Sequence, residues 1–323
     1  MSESTLAVSR TDLRAAVGFY LGYTRTSSNW TTEAAAQIDD SVLSGVRRFY
    51  FPETGYVWKF LYPASTLTLN AAYSTGTIAV TISTYTVTLT SGTFPTWAAS
   101  GVFTAGGRSY EISTRDSGTQ ITLATAYLGA TETAATYIVD QRDYDLPDNF
   151  GSMRKDFTYP SGAYYGQFTR TDELTIRSMR NAPTILAYPS LYAIRGKLTA
   201  GTSVGQRFEV MFYPAVNVDV TVDYVYSVIP DNLSASILYP YGGAKHAETL
   251  FESCIAVAEE RYKDNGSTTH QNAFVKRLGA SMEFDKDDFS PSILAYNNDP
   301  LNTYGTDGNP YPLPVVSQTM THT

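Results

Sequence analysis

Residues 218–226 read Val-Asp-Val-Thr-Val-Asp-Tyr-Val-Tyr, and this stretch sets the character of the middle of the chain. Val218, Val220, Val222, Tyr224 and Tyr226 share one face of an extended strand, with Asp219, Thr221 and Asp223 on the other. That alternation belongs to a strand with one side in a core and one side in water. Phe208, Val210 and Phe212 repeat the pattern upstream, and Pro214 with Asn217 marks the turn between the two runs. A β-region is therefore expected over residues 141–236. Earlier still, Ile78, Val80 and Ile82 alternate with small or hydroxyl-bearing residues, followed by Val87 and Leu89, Tyr110 and Ile112, Ile121 and Leu123, and Tyr137 and Val139. Gly76, Gly92, Gly106-Gly107, Gly118 and Gly129 separate these runs. Short strands so punctuated predict a small antiparallel barrel or sandwich, taken as an inserted domain over 66–140.

Outside this middle the apolar period becomes helical. Ser9 and Asp12 form a capping-box-like start, Leu13, Ala16, Val17 and Tyr20 follow at helical spacing, and Gly22 ends the run. A second helix is predicted from about 32 to 49, with Ala34, Ala35, Ile38, Val42, Val46 and Phe49 as its stripe. Glu33 at its start and Arg47-Arg48 at its end suit the helix dipole, and Pro52 closes it. Ala244, Ala247, Phe251, Cys254, Ile255, Ala258 and Tyr262 give a third helix, ended by Asn265-Gly266; Phe274, Leu278 and Met282 mark a fourth. Helices this short need partners to be stable. The expected fold is α+β: a four-helix core formed by N- and C-terminal helix pairs (1–65 and 237–289), with inserted antiparallel β-domains. After Phe289 the chain has several prolines and no period, so 290–323 is expected to be an extended C-terminal arm.

Composition narrows the function classes. The formal net charge is -8 and charged residues are only 17%, with Lys+Arg at 23, so a phosphate-gripping surface is not expected. Tyr is abundant at 25, which suits strands and protein–protein surfaces. One cysteine, Cys254, excludes an internal disulfide framework and reads as a small buried hydrophobe. No signal-peptide core or membrane-length apolar run occurs, so the chain is expected to be soluble, made in a reducing cytoplasm and without a membrane partner. The glycosylation-like triplets at Asn29, Asn232 and Asn265 are then chance matches. His246, His270 and His322 have no metal spacing, and no phosphate loop or nucleophile elbow is present. His246 reads as a solvated helix residue. Glu283, Asp285, Asp287 and Asp288 read as a solvated helix end, and Asp143, Asp145 and Asp148 as turn residues. No cofactor, metal or catalytic site is expected.

Three stretches carry a resemblance. Tyr144-Asp145-Leu146-Pro147-Asp148-Asn149-Phe150 is one; Phe208–Pro214 leading through Val218–Tyr226 to Pro230-Asp231-Asn232-Leu233-Ser234 is the second; the acidic helix from His246 to Tyr262 is the third. With the opening helix pair, their order resembles that of tailed-bacteriophage head-to-tail connector proteins, over perhaps 150 residues. The stretch at 66–140 departs from the smallest connectors, which lack it. The resemblance implies a structural virion protein rather than an enzyme. It implies a homo-oligomeric ring, usually of twelve subunits, docked beneath the portal protein at the head–tail junction and assembled in the host cytoplasm. The ring passes DNA with transient, non-specific contact and presents a surface to tail or nozzle proteins. It also implies a C-terminal segment that reaches the portal, for which Tyr296, Leu301, Tyr304, Tyr311, Leu313 and Val315 are the candidates here.

Two further expectations come from the residues. Glu248, Glu252 and Glu259 are spaced to share one helix face and are candidates for a DNA-channel lining that repels phosphates. Pro310, Pro312 and Pro314 pre-extend the arm and lower the ordering cost of docking. The competing class is a tail fibre, spike or carbohydrate-binding receptor-recognition protein, in which Phe94 and Trp97 stack on a sugar. A hydrolase on a β-scaffold has only scattered acidic residues behind it.

Overall fold

The computed structural model describes residues 4–160, 166–181, 185–197, 205–263 and 268–288, so the expected arm at 290–323 lies outside the described residues. The helices are α1 (Arg10–Tyr20), α2 (Thr32–Tyr50), α3 (Glu173–Arg180), α4 (Ala247–Tyr262) and α5 (Thr269–Asp288). The strands between α2 and α3 are β1 (Ala64–Leu69), β2 (Ile78–Val80), β3 (Thr86–Leu89), β4 (Val102–Ala105), β5 (Arg108–Arg115), β6 (Gln120–Leu123), β7 (Glu132–Ala135), β8 (Tyr137–Asp140), β9 (Asp143–Asp145), β10 (Phe150–Thr158) and β11 (Thr169–Arg170). After α3 come β12 (Leu191–Lys197), β13 (Arg207–Tyr213) and β14 (Val220–Val228). The chain divides into two compact units, Met1–Lys59 with Gly243–Thr323, and Phe60–Gly242.

In the first unit, local sequence sets the helix starts. Ser9 Oγ accepts from the Asp12 N–H while Asp12 accepts from the Ser9 N–H, a complete capping box on α1. Thr31 caps α2 by accepting from the Ala34 N–H. α4 packs against α1, α2 and α5. Its contact with α2 is unusually close. A Cβ placed on Gly45 would lie 2.5 Å from the Cys254 Cα, and the Ser253 hydroxyl donates to the Gly45 carbonyl at 2.7 Å. Only glycine fits where two helix backbones approach so closely.

The segment after α2 folds onto the same core. Trp58 is fully buried and donates from Nε1 to the Phe49 carbonyl at 2.8 Å. His246 lies beside it, 3% exposed, with ring centroids 5.4 Å from Trp58 and 5.8 Å from Phe49. The reading of His246 as a solvated residue is thus corrected: residues remote in sequence supply an aromatic wall that helix periodicity does not reveal. Asp285 is corrected likewise. It is buried and accepts from the Tyr56 hydroxyl at 2.8 Å and the Lys59 N–H at 2.9 Å.

Among the described residues, the second unit holds three sheets. A three-stranded sheet runs β1-β14-β10, a four-stranded sheet β11-β12-β13-β9, and a seven-stranded sheet β7-β2-β3-β6-β5-β4-β8. Residues 220–226 of the stretch quoted above fall in β14, where Val220, Val222, Tyr224, Tyr226 and Val228 are buried and alternate with less buried residues, whereas Val218 precedes the strand and is exposed. β14 is the central strand of its sheet, antiparallel to β1 on one side and β10 on the other. Phe157 of β10 stands at the centre of an aromatic cluster. Its ring lies 5.0 Å from Tyr192, 5.1 Å from Phe212, 5.0 Å from Tyr224 and 5.9 Å from Phe168. The seven-stranded sheet has its own core of buried residues, among them Ile78, Val87, Phe94, Phe103, Ile121 and Val139. Its two edge strands, β7 and β8, are joined through Thr136 alone, so the sheet curls toward closure as a near-barrel.

The expected fold class is overturned. The chain is a mixed α/β fold with, among the described residues, five α-helices and extensive antiparallel sheets, one a near-barrel, not a four-helix core carrying inserted β-domains. The strand-built middle is a compact unit in its own right with two large hydrophobic clusters. The fifth helix, α3, sits among strands: it packs on β12 and β13 and buries Ile176 against Ala193 and Met211. Strong helical periodicity at both ends makes the helices look like the organising core, although among the described residues strands hold more of the buried apolar side chains than helices do.

Candidate functional site

The three glutamates proposed from the sequence do share a face of α4, and that face meets α5. Glu259 is 3% exposed; it accepts from the His270 N–H at 3.0 Å and from the Tyr20 hydroxyl at 3.4 Å. Its first role is therefore to satisfy an N–H in the opening turn of α5, where a negative charge also suits the dipole. Burial, followed by the field of Glu259, raises the Tyr20 pKa. Glu252 lies 2.8 Å from His270 Nδ1 and 3.7 Å from Arg277 Nε, with its side chain 17% exposed. Glu248 pairs with Arg277 at 3.6 Å and is 70% exposed. The geometry brings the three together but opens only Glu248 to solvent. Sequence spacing identified the shared face; it did not show that His270 and Arg277 occupy it.

A second polar cluster lies in the strand-built unit, and the sequence reading missed it. Asp140, at the end of β8, is 1% exposed and is clamped by Arg142 through Nε and, at 3.0 Å, Nη2. Asp143, on β9, pairs with Arg180 of α3 at 2.8 Å and with Arg195 of β12 at 3.0 Å. Arg195 also reaches Glu209 at 2.5 Å and Glu173 at 3.1 Å, and Arg180 donates to the Arg142 and Phe212 carbonyls. Five elements, β8, β9, α3, β12 and β13, are thereby tied through guanidinium groups. Burial opposes the charge on Arg195, yet the hydrogen bond to Glu209 and the field of Asp143 hold its pKa above the ordinary value. Asp143 and Asp145 are strand residues in ion pairs, which corrects their reading as turn residues.

Two open clefts of about 270 and about 460 Å³ border this network. Glu111 of β5 lines both. Although Glu111 as a residue is exposed, desolvation of its carboxyl against the cleft walls raises the pKa, Asp143 raises it further, and Arg142, Arg180 and Arg195 act in the opposite direction. The guanidinium groups here already have carboxylate or carbonyl partners, so the arrangement braces the strands and leaves little free positive charge for an anion. Among the described residues, no group of three or more His, Cys, Asp or Glu side chains is placed to hold a metal ion.

The remaining candidates are surfaces. Phe94 is fully buried and Trp97 packs against the same core, so the pair proposed for sugar stacking is committed to packing. Cys254 is fully buried, and burial pushes its thiol pKa up to about 12. Between β14 and α4, Ile229, Ile237, Leu238, Tyr239 and Tyr241 are all exposed, Ile229 by 50% and Leu238 by 44%. Tyr296, Leu301, Tyr304, Tyr311, Leu313 and Val315 lie outside the described residues. Among the described residues no helix is long and apolar enough to cross a membrane. No known protein-family model matches the chain, and no curated protein matches it in sequence.

Proposed function

We propose that the chain is a structural virion protein, a head-to-tail adaptor that forms a ring beneath the portal of a tailed bacteriophage, passes DNA and docks tail components. The observation that carries the reading is the group of exposed large side chains Ile237, Leu238, Tyr239 and Tyr241, which adds to the order of stretches that resembles connector proteins. Four such side chains within five residues are denser than scattered surface hydrophobes and support a surface that a partner covers. The acidic composition supports a channel that does not grip DNA, a role now narrowed to Glu248 because Glu252 and Glu259 serve the packing of α4 on α5. In this proposal the arm residues Tyr296, Leu301, Tyr304, Tyr311, Leu313 and Val315 contact the portal.

The test is electron microscopy in negative stain of the purified full chain, with native mass spectrometry for stoichiometry. Closed rings with a central channel are expected. A chain that stays monomeric at all concentrations, or that forms open filaments, overturns the proposal. The competing receptor-recognition reading drew on Phe94 and Trp97; Phe94 is buried in the near-barrel core and Trp97 is half-buried against it, which weakens that support.

A further inference from the structure

Sheet edges in the second unit are blunted in different ways. β10 carries Arg154, Lys155 and Asp156 on its length and shifts register three times against β14. β9 and β11 are only three and two residues long. β8 is bridged by Tyr73 at Val139, and β7 begins with Glu132. Charge, bulges and shortness are the usual devices that stop edge pairing. β1 has none of them. It pairs with β14 in unbroken register from Ala64↔Val225 to Leu69↔Val220, and no Asp, Glu, Lys or Arg occurs between Lys59 and Arg108.

The parity of this ladder shows which backbone groups point outward. The Tyr226 N–H donates to the Pro63 carbonyl, so Pro63 and Tyr226 form a hydrogen-bonded pair. In an antiparallel ladder such pairs alternate with non-bonded ones. Ser65, Leu67 and Leu69 then face β14, and Ala64, Thr66 and Thr68 turn their N–H and C=O groups to the free edge. The Thr68–Thr221 hydroxyl contact at 3.2 Å fits a non-bonded pair, where side chains stand closest. Ala64, Thr66 and Thr68 are exposed, whereas Leu67 is half-buried and Leu69 fully buried.

From this we infer that the free edge of β1 accepts a strand from a second copy of the chain, residues 316–321 of that copy's C-terminal arm. These residues read Val-Ser-Gln-Thr-Met-Thr and follow the last proline, Pro314. No Asp, Glu, Lys or Arg follows Asp307, so nothing in this stretch opposes edge pairing. In an extended chain Val316, Gln318 and Met320 fall on one face, two of the three apolar as Leu67 and Leu69 are, and Ser317, Thr319 and Thr321 fall on the other, all hydroxyl-bearing as Thr66 and Thr68 are. The described residues stop at Asp288, and the chain beyond it has a contour length on the order of 100 Å when extended, enough to reach a neighbouring copy. Strand addition takes its affinity from main-chain hydrogen bonds and its specificity from alternate side chains. The inference deepens the adaptor reading, on which it rests, by naming the contact through which one copy grips the next.

The test uses the full chain. Thr66→Pro deletes an outward N–H and leaves the hydrogen bonds to β14 intact; Gln318→Pro with Thr319→Pro blocks the incoming strand in either register. Sedimentation velocity across a concentration series reads assembly, and amide hydrogen exchange reads Ala64, Thr66 and Thr68. Both variants are expected to weaken assembly tenfold or more with unchanged melting curves, and the three amides are expected to be protected in the assembled wild type and to exchange faster in the arm variant. If Thr66→Pro fails to fold, Thr66→Lys, an exposed substitution that adds an edge charge, takes its place. Rings that form normally in either variant, or β1 amides that exchange freely in assembled wild type, overturn this inference and leave the adaptor reading standing. A wild type that never assembles overturns both.

Discussion

The two compact units reach close packing by opposite means. In the helical unit, α2 and α4 meet because a side chain is missing: Gly45 lets backbone touch backbone at Cys254, and Ser253 then bonds the carbonyl that the approach exposes. In the strand-built unit, sheets meet across large rings, with Phe157 held among Tyr192, Phe212, Tyr224 and Phe168. The difference teaches where each unit is brittle. A contact made between backbones has no side chain to yield, whereas a cluster of rings tolerates small shifts but loses much when one ring is removed.

Gly45→Val is the hardest test of this contrast. An added isopropyl group, three carbons, must enter space already filled by the Cys254 backbone, so a loss above about 4 kcal/mol is expected, seen as failure of the helical unit to fold in urea titrations. A variant as stable as wild type breaks the comparison. Phe157→Ala should cost about 3–5 kcal/mol by the same measurement, because it deletes apolar surface and leaves a void that rings close only in part. Asp285→Ala probes a polar joint of the helical unit. With the Tyr56 hydroxyl and the Lys59 N–H deprived of this acceptor, about 1–3 kcal/mol is expected.

The smallest effect has the opposite sign. Glu111 has its pKa raised in the folded chain, so the native state binds its proton more tightly than the unfolded state does. Stability contributed by the protonated form is present at low pH and is lost as pH rises from the unfolded-state value through the raised folded one. Glu111→Gln removes that loss. Its melting temperature should exceed that of wild type at neutral pH, with the gap closing below pH of about 4, where both chains carry a neutral side chain. A melting temperature below that of wild type at neutral pH would mean that the surrounding arginines, and not burial, govern this carboxyl.

Much of this was legible in the residues. The alternation at 218–226 gave a strand that is the centre of its sheet, and Ser9 with Asp12 announced the cap that α1 forms. What escaped reading has physical causes. α3 spans eight residues and buries only Ile176, too short for periodicity to register, although Asp172 stands at its N-cap and accepts from the Thr175 N–H. Helical spacing placed Glu248, Glu252 and Glu259 on one face, but whether that face meets water or α5 depends on His270 and Arg277, which fold back from later in the chain. The charge network failed to show because Asp140, Arg142, Asp143, Glu173, Arg180, Arg195 and Glu209 are scattered singly and are gathered only by the pairing of β9, β12 and β13. The hierarchy of the fold was misread for a related reason: amphipathic helices announce themselves strongly, whereas short strands announce themselves weakly and bury more.

The cysteine seated against Gly45 has a practical corollary. Its sulfur has no exposed surface, and a thiol with so high a pKa offers almost no thiolate to an alkylating reagent at neutral pH. The wild-type chain is thus a blank background for maleimide chemistry. Any single cysteine placed on its surface becomes the one address for a fluorophore or spin label, and distances within and between copies become measurable without first stripping the native residue from its seat.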